Sequence, residues 1–467
     1  MENTNGNRGY ALIDKLERHY EESAATLFVG DTPRVRAMRE QALARFLASG
    51  FPDKKMENWR HSKLLSALSN DYDVALQVLD SQHHSAFCCS IQDFDTDVVM
   101  LKNGCFAGEQ SLVTLDDGVI VGSSRAAMQQ YPDIFDKYFG TIADSDDSFA
   151  DVNTAFWNDG FFIYVPKNVV GKRPIQIIKL IEGHPQPFIQ TRNLIVLESG
   201  ARLQIVDCDD STSEQGGFVN ALTEIVIGEN AQLDKYKLQN INDETTLLNA
   251  NVIRQSRDAV FRSSVISFNG GMIRNQIRVE LDGENAETEI NGLYLVDKTQ
   301  HVDNQLRVNH NVSHCRSNEH FKGILDDEST AVFNGYVYVA PDAQATEACQ
   351  NNNNVILTPT AKINSMPFLE ILADDVKCSH GTTTGQLDDE ALFYMRQRGI
   401  SKSDARMLLM YAFAAEVSNR ISIEPLRERI DDMIKKRLRG ELRSCDSCVL
   451  RCSNPKDYNF EIDYSKI

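Results

Sequence analysis

Two residues in the C-terminal third of this 467-residue chain carry its most suggestive chemistry. Within Asp374-Asp375-Val376-Lys377-Cys378-Ser379-His380-Gly381, a thiol and an imidazole stand two positions apart. In an extended segment residues two apart share a face, so Cys378 and His380 would point the same way. Thiolate and imidazole are both good iron ligands, and iron–sulfur centres accept His in place of Cys. A nearby carboxylate would fix the imidazole tautomer. Gly381 would let the chain turn sharply as it leaves the strand. The spacing equally fits a buried Cys, acting as a small hydrophobe, beside a hydrogen-bonded His.

Other groups are less complete. Cys445-x-x-Cys448-x-x-x-Cys452 has the close spacing of metal- or cluster-binding thiols. It lacks a fourth ligand, and reduced free thiols are as much at home in so polar a tail. Cys88 and Cys89 are adjacent and have no partners at ligand spacing. His314 and Cys315, read as strand neighbours, face opposite ways and would not ligate together. Asp207, Asp209 and Asp210 supply the clustered carboxylates that a glycoside-cleaving site needs, but read as a solvated turn. Neither G-x-x-x-x-G-K-[ST] nor G-x-G-x-x-G occurs, so this chain is expected to bind no nucleotide itself.

Positioning Cys378 and His380 requires a rigid scaffold, and the middle of the chain has the pattern of one. From about Gly160 to Cys378, short β-rich runs alternate with Gly, Asn and Asp turns. Small or acidic loops followed by Ala recur, as in ESGARLQIV, GENAQLDKY, SRDAVFRSS and GENAETEIN. The alanines Ala201, Ala231, Ala259, Ala286, Ala331 and Ala361 are spaced by 30, 28, 27, 45 and 30 residues. A step near 30 built from short strands predicts the coils of a β-solenoid. The step of 45 leaves room for an extra segment, with His301–Val312 as another strand. An antiparallel sandwich, whose turns come about every 8–12 residues, is the alternative. Helical spacing marks Tyr10–Leu68, Asp388–Glu416 and Ile423–Leu442; the stretch 71–148 stays unassigned. The basic face of the last helix reads as a solvated face.

Composition narrows the class. A net charge of −19 argues against a nucleic-acid binder. The longest apolar run, Met407–Ala415, is far short of the roughly 20 residues a membrane-spanning helix needs, and no basic start precedes an apolar N-terminal segment. A cytoplasmic protein with reduced thiols is the expectation.

The segment Phe368–Ile400, FLEILADDVKCSHGTTTGQLDDEALFYMRQRGI, resembles the signature of the SufB/SufD family of the SUF iron–sulfur cluster assembly system. NTAFWNDGFFIYVPKNVVGKRPIQI from Asn153, SHCRSNEHFKGILDDESTAVFNG from Ser313 and ATEACQNNNNVIL from Ala345 agree with it, while WRHSKL at Trp59–Leu64 is a looser match. Cys378-Ser379-His380-Gly381 resembles the SufD branch; the SufB branch carries His-Glu-Ala there, which this chain lacks. Ser365-Met366-Pro367 departs from the Thr-Lys-Pro often found in the family.

This resemblance implies a right-handed parallel β-helix core at 156–385. An N-terminal helical and mixed region at 1–155 and a C-terminal helical domain at 386–467 would flank it. It implies a non-enzymatic scaffold acting with SufB and the ATPase SufC, as one SufB, one chain of this type and two SufC. A transient iron–sulfur cluster would form at the SufB–SufD interface, with His380 matching a ligand; both readings of Cys378 stay open. Phe393, Tyr394, Arg398, Gly399 and Ile400 fall in the region that docks SufC. Two other readings compete: a β-helix carbohydrate-active enzyme and a purely structural homodimer.

Overall fold

The computed structural model describes residues 10–74, 94–109, 111–143, 147–183, 186–212 and 215–442. Cys88, Cys89, Cys445, Cys448 and Cys452 lie outside these. Helices α1 (Ala11–Leu27), α2 (Pro33–Ser49) and α3 (Leu64–Ala67) come first. α2 has clear boundary signals: Thr32 accepts a hydrogen bond from the Val35 N–H, Pro33 stands in the first turn, and Gly50 closes it at φ 68°. The stretch that sequence pattern leaves unassigned holds strands β1 (Asp97–Lys102), β2 (Cys105–Phe106), β3 (Leu112–Thr114) and β4 (Ile120–Ser123), then helices α4 (Ser124–Gln130) and α5 (Pro132–Tyr138). Helix α6 (Ser148–Phe156) leads into the core.

From β5 (Phe161–Val165) the chain winds back and forth between two sheets. The first contains β6 (Ile175–Ile181), β8 (Arg202–Ser211), β10 (Gln232–Asn240), β12 (Val260–Asn269), β14 (Glu287–Val296), β16 (Arg316–Leu325), β18 (Thr346–Ile356) and β20 (Val376–Gly385). The second contains β7 (Phe188–Leu197), β9 (Phe218–Ile227), β11 (Thr246–Gln255), β13 (Met272–Leu281), β15 (His301–His310), β17 (Thr330–Val339) and β19 (Lys362–Ile371). Each strand from β6 onward pairs in parallel with the strand two places along the chain, giving a parallel β-solenoid of about eight turns.

One corner of each turn explains the sequence repeat. Gly200, Asn230, Asp258, Asn285, His314 and Ala345 all adopt positive φ, between 55° and 73°. Gly, Asn and Asp are the types that tolerate this region best. The next residue along is small and buried: Ala201, Ala231, Ala259, Ala286 and then Cys315. These residues stack rung on rung. The N–H of Gln232 donates to the Ala201 carbonyl, Val260 to Ala231, Glu287 to Ala259, Arg316 to Ala286 and Glu347 to Cys315, at 2.8–3.1 Å. The apparent step of 45 is thereby corrected. Cys315, a small hydrophobe in its own right, takes the fifth place in the column. Ala331 belongs to β17 of the other sheet, and the segment read as extra is the ordinary strand β15.

Ile, Leu, Val and Ala fill most of the solenoid interior. Charge is concentrated in it around Asp207. Lys179, Lys235 and Lys237 surround Asp207 at 2.8–3.0 Å, and Lys237 also meets Asp209 at 2.6 Å. Burial alone would raise the Asp207 carboxyl; the three ammonium groups outweigh it and hold it well below the usual range. The solvated turn expected at these aspartates is therefore wrong: they lie in β8, buried and ion-paired.

Both sheets are covered outside. Leu12, Leu16, Phe46, Phe51, Trp59 and Phe149 pack on Phe188, Phe218, Leu248 and Met272 of the second sheet. Helices α7 (Asp389–Gln397), α8 (Lys402–Ser418) and α9 (Glu424–Leu438) follow β20. The span Asp388–Glu416, one periodic stretch in the sequence, is split into α7 and α8 by a turn in which Gly399 has φ 86°. α8 and α9 seal Val206, Tyr236, Ile266, Leu293 and Ile324 on the first sheet. Buried Arg437 rivets α9 down. It donates to the Phe268 and Leu295 carbonyls at 2.7 and 3.3 Å and pairs with Asp297 at 2.6 Å.

Two tests follow from this packing. Arg437→Met leaves Asp297 and two carbonyls without their donor and should cost about 3–5 kcal/mol in denaturant unfolding, with α9 cleaved first by protease. Burial pushes His301 and His310 down to about 4, so both are neutral in the folded chain. The unfolded chain takes up those protons near pH 6.5, so the contribution is complete above about 6.5 and is lost as pH falls toward 4. His310→Gln should lose less of its thermal midpoint than the unaltered chain across that window.

Candidate functional site

The two sheets end on bare edges. Among the described residues, β20 pairs only with β18, and β19 only with β17. No described strand forms a further rung above either, and most of their residues are exposed or half-buried. Cys378 and His380 lie on β20, the last rung of the first sheet. The strand does not end at Gly381, as the turn-forming role of that glycine predicts; it runs on to Gly385.

Register decides which way these side chains face. Cys378 stacks on Ala348 and Ser317, and His380 on Gln350 and Glu319. Those inner positions line the interior: Ala348 is buried with Val337, Val339 and Ala373, and Cys378 packs against them. Thr382, two residues past His380, reaches across to Ser365 of β19 at 2.8 Å. Cys378, His380 and Thr382 thus share the interior face at its open mouth. The outer face of β20 carries Lys377, Ser379 and Thr383 instead.

The interior beneath this mouth turns polar. Ser365 donates to the Asn352 Oδ1 at 2.8 Å, Asn354 donates to the same oxygen at 2.7 Å, and Asn352 donates to the Tyr294 hydroxyl at 3.1 Å. Below His380, Gln350 Nε2 donates to Glu319 Oε2 at 2.8 Å. Gly335 makes this possible, because a Cβ there would stand 2.3 Å from that nitrogen. Burial pushes the Glu319 carboxyl up to about 7, against the opposing hydrogen bonds of Gln350 and Ser317. The Cys378 thiol is pushed up, first by burial and then by the Glu319 carboxylate. It therefore stays protonated until a cation compensates for the thiolate.

Chemically this is half a site. Cys378 and His380 offer one sulfur and one nitrogen donor, and no set of three or more His, Cys, Asp or Glu among the described residues is placed to hold a metal. Clusters generally take four protein ligands. Sequence reasoning finds the two donors but misses Glu319, Gln350 and the asparagine ladder. A signal was present: in ATEACQNNNNVIL even the inward positions of the strand are polar, which a purely apolar interior would not permit.

The remaining candidates sit elsewhere. Phe393 and Tyr394 of α7 are 66% and 61% exposed, and the Arg398 guanidinium lies 5.2 Å from the Tyr394 ring centre. Gly399 and Ile400 form the turn into α8. Phe368, Ile371 and Leu372, on and just after β19, are further exposed apolar side chains. His314 is a turn residue, not a strand neighbour of Cys315. The Cys315 sulfur is tucked 3.3 Å from the Gly283 carbonyl and its thiol is pushed up by burial.

Comparison with known proteins converges on one family. Residues 180–413 match the family described as the SUF system FeS cluster assembly SufBD core domain, and residues 11–177 match the SufBD protein N-terminal region. An iron–sulfur cluster assembly SufBD family protein of Synechocystis is 30% identical over 448 residues, covering 93% of this chain and 95% of the relative. The SufD proteins of Escherichia coli and Bacillus subtilis are 28% and 26% identical, covering 89% and 69% of this chain and 96% and 75% of themselves. With the parallel solenoid and both matched regions in agreement, the chain belongs to the SufBD family of the SUF iron–sulfur cluster assembly system.

Proposed function

We propose that this chain is a SufD-type scaffold subunit that supplies part of an iron–sulfur assembly site and has a SufB subunit complete it. The observation that carries this reading is the placement of Cys378 and His380 on an edge strand that, among the described residues, is paired on one side only, at the mouth of the interior. A bare strand edge of ten residues is a template for pairing with another chain. A SufB edge docked on β19 and β20 would continue both sheets and bring its own ligands opposite Cys378 and His380. The nascent cluster is then cargo shared across the junction, held by His380 and, once its proton leaves, by Cys378. No bond is made or broken by this chain alone, so its role is ligation and positioning rather than catalysis.

The C-terminal part, 386–467, is assigned to docking the ATPase SufC through Phe393, Tyr394, Arg398, Gly399 and Ile400. Exposed aromatics beside Arg are the composition of interface anchors. Two SufC subunits, one on this chain and one on SufB, would let ATP-driven movement strain the shared edge. Such an assembly works in the cytoplasm. Among the described residues no helix is long and apolar enough to cross a membrane. The carbohydrate-active alternative loses its candidate carboxylates to the buried lysines. Cys445, Cys448 and Cys452 remain candidate metal ligands on their sequence spacing alone.

Co-expression with SufB and SufC should yield a stable complex that retains iron and sulfide. His380→Ala should preserve the complex and lower its iron content by more than half; unchanged iron, or a chain that purifies only as a homodimer, overturns the assignment. Phe393→Glu combined with Tyr394→Glu alters only exposed positions and should weaken SufC binding by at least tenfold in calorimetry, with SufB binding retained.

A further inference from the structure

We propose that Gln350, oriented by Glu319, is a positioning residue that fixes the tautomer of His380 and so decides which ring nitrogen is free to act as a ligand. This rests on the reading of His380 as a ligand. The argument begins with the amide. Gln350 is 1% exposed, and its Nε2 is committed to Glu319 Oε2 at 2.8 Å. Its Oε1 is buried without a hydrogen-bond partner. A buried carbonyl left unpaired is costly, so such an atom normally has a use. His380 stands next in register on the same interior face, one strand spacing above. No described rung lies beyond it.

A neutral imidazole carries one N–H and one lone pair. The N–H donated to Gln350 Oε1 would satisfy the orphan oxygen and leave the opposite nitrogen free at the open mouth. Ligating histidines are commonly held in this way by a carbonyl or carboxylate behind them. Glu319 makes the arrangement directional. An ionised carboxylate only accepts, so the amide must present Nε2 to it, which leaves Oε1 as the end available to His380. Gly335 leaves the space in which the amide lies, with its three outer atoms 2.3–2.6 Å from where a Cβ would be.

The test uses the metal-free full-length chain, labelled with ring-15N histidine, at about pH 8.5. That is above the ordinary imidazole range and above the value of about 7 for Glu319. Signals of His380 are identified by their loss in His380→Asn. The expected result is one tautomer in the unaltered chain, and a mixture of both in Gln350→Met and in Glu319→Gln, whose amide no longer dictates the orientation of Gln350. The buried His301 and His310 report whether each variant is folded. A mixture in the unaltered chain, or a single tautomer surviving in folded Gln350→Met or Glu319→Gln, overturns the proposal. Neither result depends on a cluster. Retained iron in the His380→Ala complex would instead remove the ligand reading and leave the tautomer result standing.

Discussion

Everything in this molecule hangs on the rung-to-rung hydrogen bonding of the solenoid. Each turn is held to the next by in-register parallel strands, and the small-residue column from Ala201 to Cys315 runs through them without a break. Parallel pairing needs a crossover for every strand. Here the crossover is simply the other sheet, reached through a tight corner. The corner works because one residue per turn accepts a left-handed backbone. Helix packing, interior chemistry and the open end all follow from that repeated geometry.

The repeat was legible because backbone constraint selects residue type. Gly200, Asn230, Asp258 and Asn285 are residues for which positive φ is cheap, and the small residue after each is required by the packed interior. The signal failed where those constraints could be met otherwise. His314 and Ala345 hold the same corner, and Cys315 fills the alanine position, so the period seemed to skip. The short helices α4 and α5 were invisible because seven residues are too few for a 3.6-residue period to declare itself.

The donor pair was legible for a different reason: alternation along an extended chain depends on nothing but the pleat. What surrounds the pair was not. Glu319 is 59 positions before Cys378 in the chain and reaches its neighbourhood only because the coil brings β16 to within two strand steps of β20, with β18 between them. Asp207 and Asp209 misled for a related reason. Clustered acidic residues in a sequence look solvated, and only the rung spacing brings Lys179, Lys235 and Lys237 in to neutralise them. Buried pairs of this kind stabilise little in net terms. Their strictness about partners, however, penalises any misregistered rung.

That strictness has a consequence at β20. A strand has only two faces, so sliding it by one residue along β18 does not shift the donors slightly. It exchanges them wholesale, turning Lys377 and Ser379 inward and Cys378 and His380 out. The terminal strand therefore behaves like a key with two settings, one presenting a sulfur and a nitrogen donor and the other an ammonium and a hydroxyl. A partner that grips this edge holds the tumbler in place as well as contributing ligands, so fidelity of strand pairing and chemical competence at the mouth become a single property.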